Sequence, residues 1–204
     1  MHRPTPTPTP TVVASVVLLG GGLAATPLPA QLADNTTTRA CEPGALHPDA
    51  PLETRQFDFL IGRYEMSLHA WTGDGWSPPR PVGALWEGWY GLDGRVIVDE
   101  WFDLDTRNDR PPVRGVNVRI FDPNEELWKM MWIAEPGYQV QDLRAEVRDG
   151  VLTMWQVYPD RPGWKAEFEV TDADHWARIA YVQEEEGGAW TPQFRLAASR
   201  VPCD

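Results

Sequence analysis

From Phe57 to the C-terminus, apolar and polar residues alternate in short segments, broken by turn residues at intervals of about ten. Alternation with period two marks a strand with one buried face. The breaks are Gly73-Asp74-Gly75, Leu92-Asp93-Gly94, Asn108 to Pro112, Asp122 to Glu126, Glu135-Pro136-Gly137, Arg148-Asp149-Gly150, Pro159 to Gly163, Asp172-Ala173-Asp174 and Glu184 to Gly188. Glycine supplies positive φ in such turns, and Asp or Asn tolerates it. Nine breaks delimit ten strands, and no segment holds a helical period beyond a short turn at Thr54 to Leu60. Successive hairpins without crossover helices predict an all-β fold, an antiparallel up-and-down barrel of about ten strands. A two-sheet sandwich is the alternative.

Alternation also assigns faces. In the first strand Tyr64, Met66, Leu68 and Ala70 share the inward face; in the eighth, Trp164, Ala166, Phe168 and Val170 do. In the last, Phe194, Leu196 and Ala198 point inward and bring Arg200 with them, where a charge must be paired or stacked. Val96, Val98 and Phe102 form the more apolar face of the third strand, which places Glu100 inside and Asp99 outside. The same count puts Val116, Val118 and Ile120 inside and Arg119 outside.

Upstream of the strands the texture differs. A Pro/Thr repeat follows His2 and Arg3, then an apolar run from Val12 to Ala25 that is short for a membrane span and ends in prolines. Residues 1–30 read as a signal peptide, with Leu28-Pro29-Ala30 as a cleavage site, and an uncleaved anchor is the alternative. Residues 31–54 read as a flexible linker, containing the glycosylation triplet Asn35-Thr36-Thr37, and 55–204 as the barrel domain. Export to a periplasm or the extracellular space follows, with no membrane insertion of the mature chain. Two cysteines, Cys41 and Cys203, stand near its ends and read as a disulfide; lipid attachment at Cys41 is disfavoured by Thr38 and Arg39 before it. The formal net charge of −12 sets the chain against phosphate backbones, so nucleic acid is not an expected partner.

Phe57-Asp58-Phe59-Leu60-Ile61-Gly62-Arg63-Tyr64 resembles the F-D-F-L-x-G-x-W opening of lipocalin-like bacterial domains of unknown function. Arg119-Ile120-Phe121-Asp122-Pro123 with Trp128 and Trp132, Gly187-Gly188-Ala189-Trp190 and the closing Arg200 follow in the same order, so the resemblance covers about residues 55 to 200. It implies a calycin-type barrel in which an arginine of the last strand lies across the aromatic ring of the first. Here those residues are Gly62, Tyr64 and Arg200, with Tyr in place of the family's Trp.

Eleven tryptophans are many for 204 residues, and most of them read as core filling. Trp86, Trp132 and Trp155 are mid-strand and become, with Met66, candidates to line a ligand cavity, while Trp71, Trp76, Trp164 and Trp190 flank turns. Glu100 with Arg178 or Arg119 would form a polar anchor, and Tyr181 could join it in acid–base chemistry. His175 could serve as an axial ligand by analogy with haem-binding nitrobindin-like barrels, but its place beside a turn argues against it, and no cofactor is expected. No metal-binding spacing occurs, and the run Glu184-Glu185-Glu186 lacks the spaced oxygens of a calcium loop. The leading expectation is an exported barrel that binds a small, largely apolar molecule. The alternatives are an enzyme with an interior carboxylate and a filled barrel acting as a protein-interaction module.

Overall fold

The computed structural model describes residues 39–104 and 111–203. The leader, the Asn35 triplet and most of the expected turn Asn108 to Pro112 lie outside the described residues. A 3-10 helix at Leu52–Leu60 precedes ten strands: β1 Gly62–Ala70, β2 Arg80–Gly91, β3 Val96–Asp103, β4 Arg114–Asp122, β5 Leu127–Glu135, β6 Gln139–Arg148, β7 Val151–Tyr158, β8 Trp164–Val170, β9 His175–Val182 and β10 Thr191–Arg200. Each pairs antiparallel with its sequence neighbour, and β1 closes on β10. The fold is the closed up-and-down barrel that the alternation predicts; the sandwich is set aside.

The two ends of the barrel differ. At the end where β1 begins, the 3-10 helix enters as a plug, with Phe57 and Leu60 fully buried. The Phe57 ring meets Trp128 edge-on at 4.7 Å and Phe168 at 5.4 Å, and Phe59 meets Trp176 at 5.6 Å. Edge-to-face contacts set the positive ring rim against a negative face, which adds to the gain from burial. Three polar bonds fix the plug: the Trp128 indole donates to Gln56 at 2.9 Å, the Tyr90 hydroxyl to Asp58 at 2.5 Å, and the Tyr64 hydroxyl to the Phe59 carbonyl at 2.7 Å. At Gly88 a Cβ would come within 2.1 Å of the Leu60 carbonyl, so only glycine lets the helix seat this deep.

Arg200 bolts this end. Its guanidinium lies over the Tyr64 ring at 4.6 Å and donates to the Ile61 carbonyl at 3.1 Å, the Ala173 carbonyl at 2.9 Å and the Tyr64 oxygen at 2.5 Å. Asp174 completes the set at 2.8 Å. Gly62 sits at φ 121°, and a Cβ there would lie 2.0 Å from an Arg200 nitrogen. Glycine is therefore required twice over, for the backbone angle and for the guanidinium's path.

The described part of the stretch read as a linker packs on the barrel. The Tyr90 amide donates to the Pro43 carbonyl at 2.8 Å and the His47 amide to the Gly94 carbonyl at 3.1 Å. Arg39 stands over the Trp89 ring at 5.8 Å. Cys41 and Cys203 are bonded, closing a loop with a sequence separation of 162. The segment covers part of the outer face of β2 and β3, and Val96, which points outward, is buried.

Arg200→Ala removes a stacked ring contact and several hydrogen bonds, so urea unfolding should show a loss of about 1–3 kcal/mol; an unshifted midpoint would reject the bolt. Replacing both cysteines by serine should cost about 2–5 kcal/mol, as expected for a loop this long, with Trp89 fluorescence shifting red as its cover loosens. A double variant as stable as the parent would show that the tie contributes nothing.

Candidate functional site

At the opposite end the barrel is hollow. A cavity of about 520 Å³ opens among the inward faces of β2 to β7 on one side and β8, β9 and β10 on the other. Four indoles, Trp86, Trp101, Trp132 and Trp164, form its walls together with Leu143, Met154, Phe194 and Leu196. Asp103, Gln141, Gln156 and Arg161 stand towards the mouth, at the strand ends. Gly115 makes room for one wall: a Cβ there would fall 2.2 Å from the Trp132 ring. Trp101 is held by a 2.6 Å bond from its indole to Asp103, which also accepts from the Val113 amide at 3.0 Å.

Between cavity and plug lies a polar layer. The pairing of Gly88 with Asp99, Asp99 with Asn117, and Ile97 with Arg119 turns Asp99, Asn117 and Arg119 inward together. Arg119 grips Asp99 with two bonds, Nε to Oδ2 at 2.5 Å and Nη2 to Oδ1 at 3.2 Å, and both side chains are fully buried. Its remaining Nη1 rests 3.1 Å from the Met130 sulfur, and its face lies over the Phe57 ring at 4.6 Å. Burial pushes the Asp99 carboxyl up, against the pull of Arg119 and Arg178, which favour its charged form. Arg178 belongs to the same layer and lines the cavity. The indole nitrogen of Trp86, the Asn117 carbonyl oxygen and the Nε of Arg178 are buried without a hydrogen-bond partner among the described residues.

These positions correct two readings of β3 and β4. Asp99 points inward, not Glu100, and Arg119 points inward rather than out. The apolar stripes on these two strands have other causes. Val96 is covered from outside by the N-terminal segment, whereas Val118 and Ile120 stand exposed on the outer wall at 40% and 46%. Glu100 faces outward, where burial raises its carboxyl and Arg39 opposes the rise.

Of the lining candidates, Trp86, Trp132 and Arg178 meet in the cavity. Met66 faces inward but packs in the solid core. Trp155 is on the outer face, opposite Arg144 and Lys165 in the ladder, because Met154 and Gln156 take the inward positions of β7. Tyr181 also points outward, under the Lys165 ammonium at 5.1 Å, and burial and Glu167 push its hydroxyl up to about 12. Glu100 and Tyr181 therefore do not meet an interior arginine, and the proposed acid–base set does not assemble. His175 sits at the closed end, 2.8 Å from Asp172 and away from the cavity. Trp101 and Trp164 were missed as walls. Trp101 shares the inward parity of Asp99 and falls with the same error, and Trp164, although on the inward face of β8, flanks a turn rather than standing mid-strand.

Removing one partner of a buried ion pair strands the other charge. Asp99→Leu, which strands Arg119, should therefore lower stability by about 3–5 kcal/mol, and adding Arg119→Met should restore most of it. Denaturant unfolding of the single and double variants checks this; a single variant as stable as the parent would mean the pair is not buried.

No protein-family model matches the chain, and no curated protein sequence matches it.

Proposed function

We propose that this is an exported binding protein that holds one small, largely apolar molecule in the hollow half of its barrel. The cavity carries the reading. Its volume of about 520 Å³ falls within the range that suits one small organic ligand. Indole walls offer wide, rigid contact area at little entropic cost. The plug and the polar layer block the other end, so a ligand would enter and leave by the mouth. A disulfide between the ends of the domain suits an oxidising compartment, which supports export. The resemblance of the opening octapeptide to lipocalin-like domains belongs to the same reading. So does the acidic surface, which disfavours nucleic acid and anionic membranes as partners. Among the described residues no helix is long and apolar enough to cross a membrane.

The test uses N-phenyl-1-naphthylamine, a neutral dye that brightens on leaving water. Titration should saturate at one dye per chain. Leu143→Trp, which extends a ring into the cavity, should weaken binding by about tenfold or more through overpacking. Absence of saturable binding to the wild-type protein would overturn the proposal, as would an unaltered affinity in a folded Leu143→Trp variant.

A further inference from the structure

Resting on the reading of the cavity as a ligand site, we infer that it selects a molecule with a carboxylate at its deep end, received by the guanidinium of Arg178. The charge balance of the polar layer points there. Two guanidiniums, Arg119 and Arg178, face one carboxylate, Asp99. Asp99 is committed to Arg119 through both of its oxygens. Arg119 is itself used up, with its remaining nitrogen on the Met130 sulfur and its face on Phe57. Arg178 is the surplus cation.

Its surroundings in the sheet offer no counter-ion. The ladder places it between Phe168 of β8 and Leu196 of β10, with Trp176 and Ala180 as its same-face neighbours along β9. Its Nε is buried without an acceptor. The Trp86 indole N–H, also on the cavity wall, is a second buried donor without an acceptor. An orphaned donor in a desolvated site favours any ligand that supplies the missing acceptor. A carboxylate does so best, because its two oxygens match the fork of the guanidinium, and an ammonium head would be repelled. Burial, then the neighbouring Arg119, pull Arg178 down to about 10 against the opposing pull of Asp99, which leaves it charged at neutral pH. Above this floor the walls are indole and phenyl faces, so the body behind the carboxylate should be apolar and flat enough to pass between them.

The experiment compares 2-naphthylacetic acid with its neutral analogue 2-(2-naphthyl)ethanol, each displacing N-phenyl-1-naphthylamine at neutral pH. The wild-type protein should prefer the acid by about tenfold or more, as expected for a charge-assisted hydrogen bond replacing a neutral one. Arg178→Met should abolish the preference, and Arg178→Lys, which keeps the charge but loses the fork, should retain part of it. The readout is the ratio of the two affinities within each protein, so a general weakening does not mimic the result. Equal affinities in the wild-type protein, or a preference that survives in Arg178→Met, would overturn the inference while leaving the cavity reading intact. If Arg178→Met does not fold, the wild-type ratio and the lysine variant still decide. Loss of dye binding in the wild-type protein would overturn both.

Discussion

The ion pair between Asp99 on β3 and Arg119 on β4 is the constraint on which the interior depends. Neighbouring side chains on a strand face opposite ways, so turning these two inward fixes every other position on both strands. Trp101 and Asp103 follow Asp99 into the cavity, while Val96, Val98 and Glu100 go outward. Gly115, Asn117 and Phe121 follow Arg119. The pair also sets the level at which the barrel changes character. Below it the 3-10 helix and its aromatic partners fill the space, and above it four indoles surround the cavity.

A buried pair of this kind contributes little net stability, since desolvation of both charges offsets most of their attraction. An apolar layer of the same volume would serve a filled barrel as well. The layer makes more sense as a floor that keeps one side of the interior polar. Arg119 neutralises Asp99 and braces the plug through Phe57, so Arg178 is left to face the cavity. The exterior is acidic, with a formal charge of −12 for the chain, while the floor is cationic. Bulk charge acts weakly beyond about 8 Å at physiological salt, so a ligand inside the barrel responds to the floor more than to the surface.

The fold was legible because hairpin barrels write themselves locally. Turn residues with positive φ and alternating strands appear in the chain in order, and the Tyr64–Arg200 contact joins the two strands that must close the ring. The faces of β3 and β4 were not legible, because alternation reports which side is apolar, not which side is inside. On β3 the outer side is apolar because another segment covers Val96; on β4 Val118 and Ile120 are apolar and exposed. Trp155 and Tyr181 show the same limit in β7 and β9: an aromatic residue on the outer face of a barrel reads like one on the inner face until the register is known. Asp99 and Arg119, twenty residues apart, carried a usable signal. Each interrupts an apolar run with a charge of opposite sign, on strands that a single hairpin sets side by side.

The floor of the cavity sets two guanidiniums, Arg119 and Arg178, against one carboxylate, Asp99. Crystals soaked in sodium bromide and measured at the bromine absorption edge test this arrangement without assuming a ligand. The charge balance predicts an anomalous peak within the barrel, in contact with Arg178 and above the Asp99–Arg119 pair. A cavity without such a peak, with the Arg178 guanidinium bound to a carboxylate of the protein itself, would contradict it.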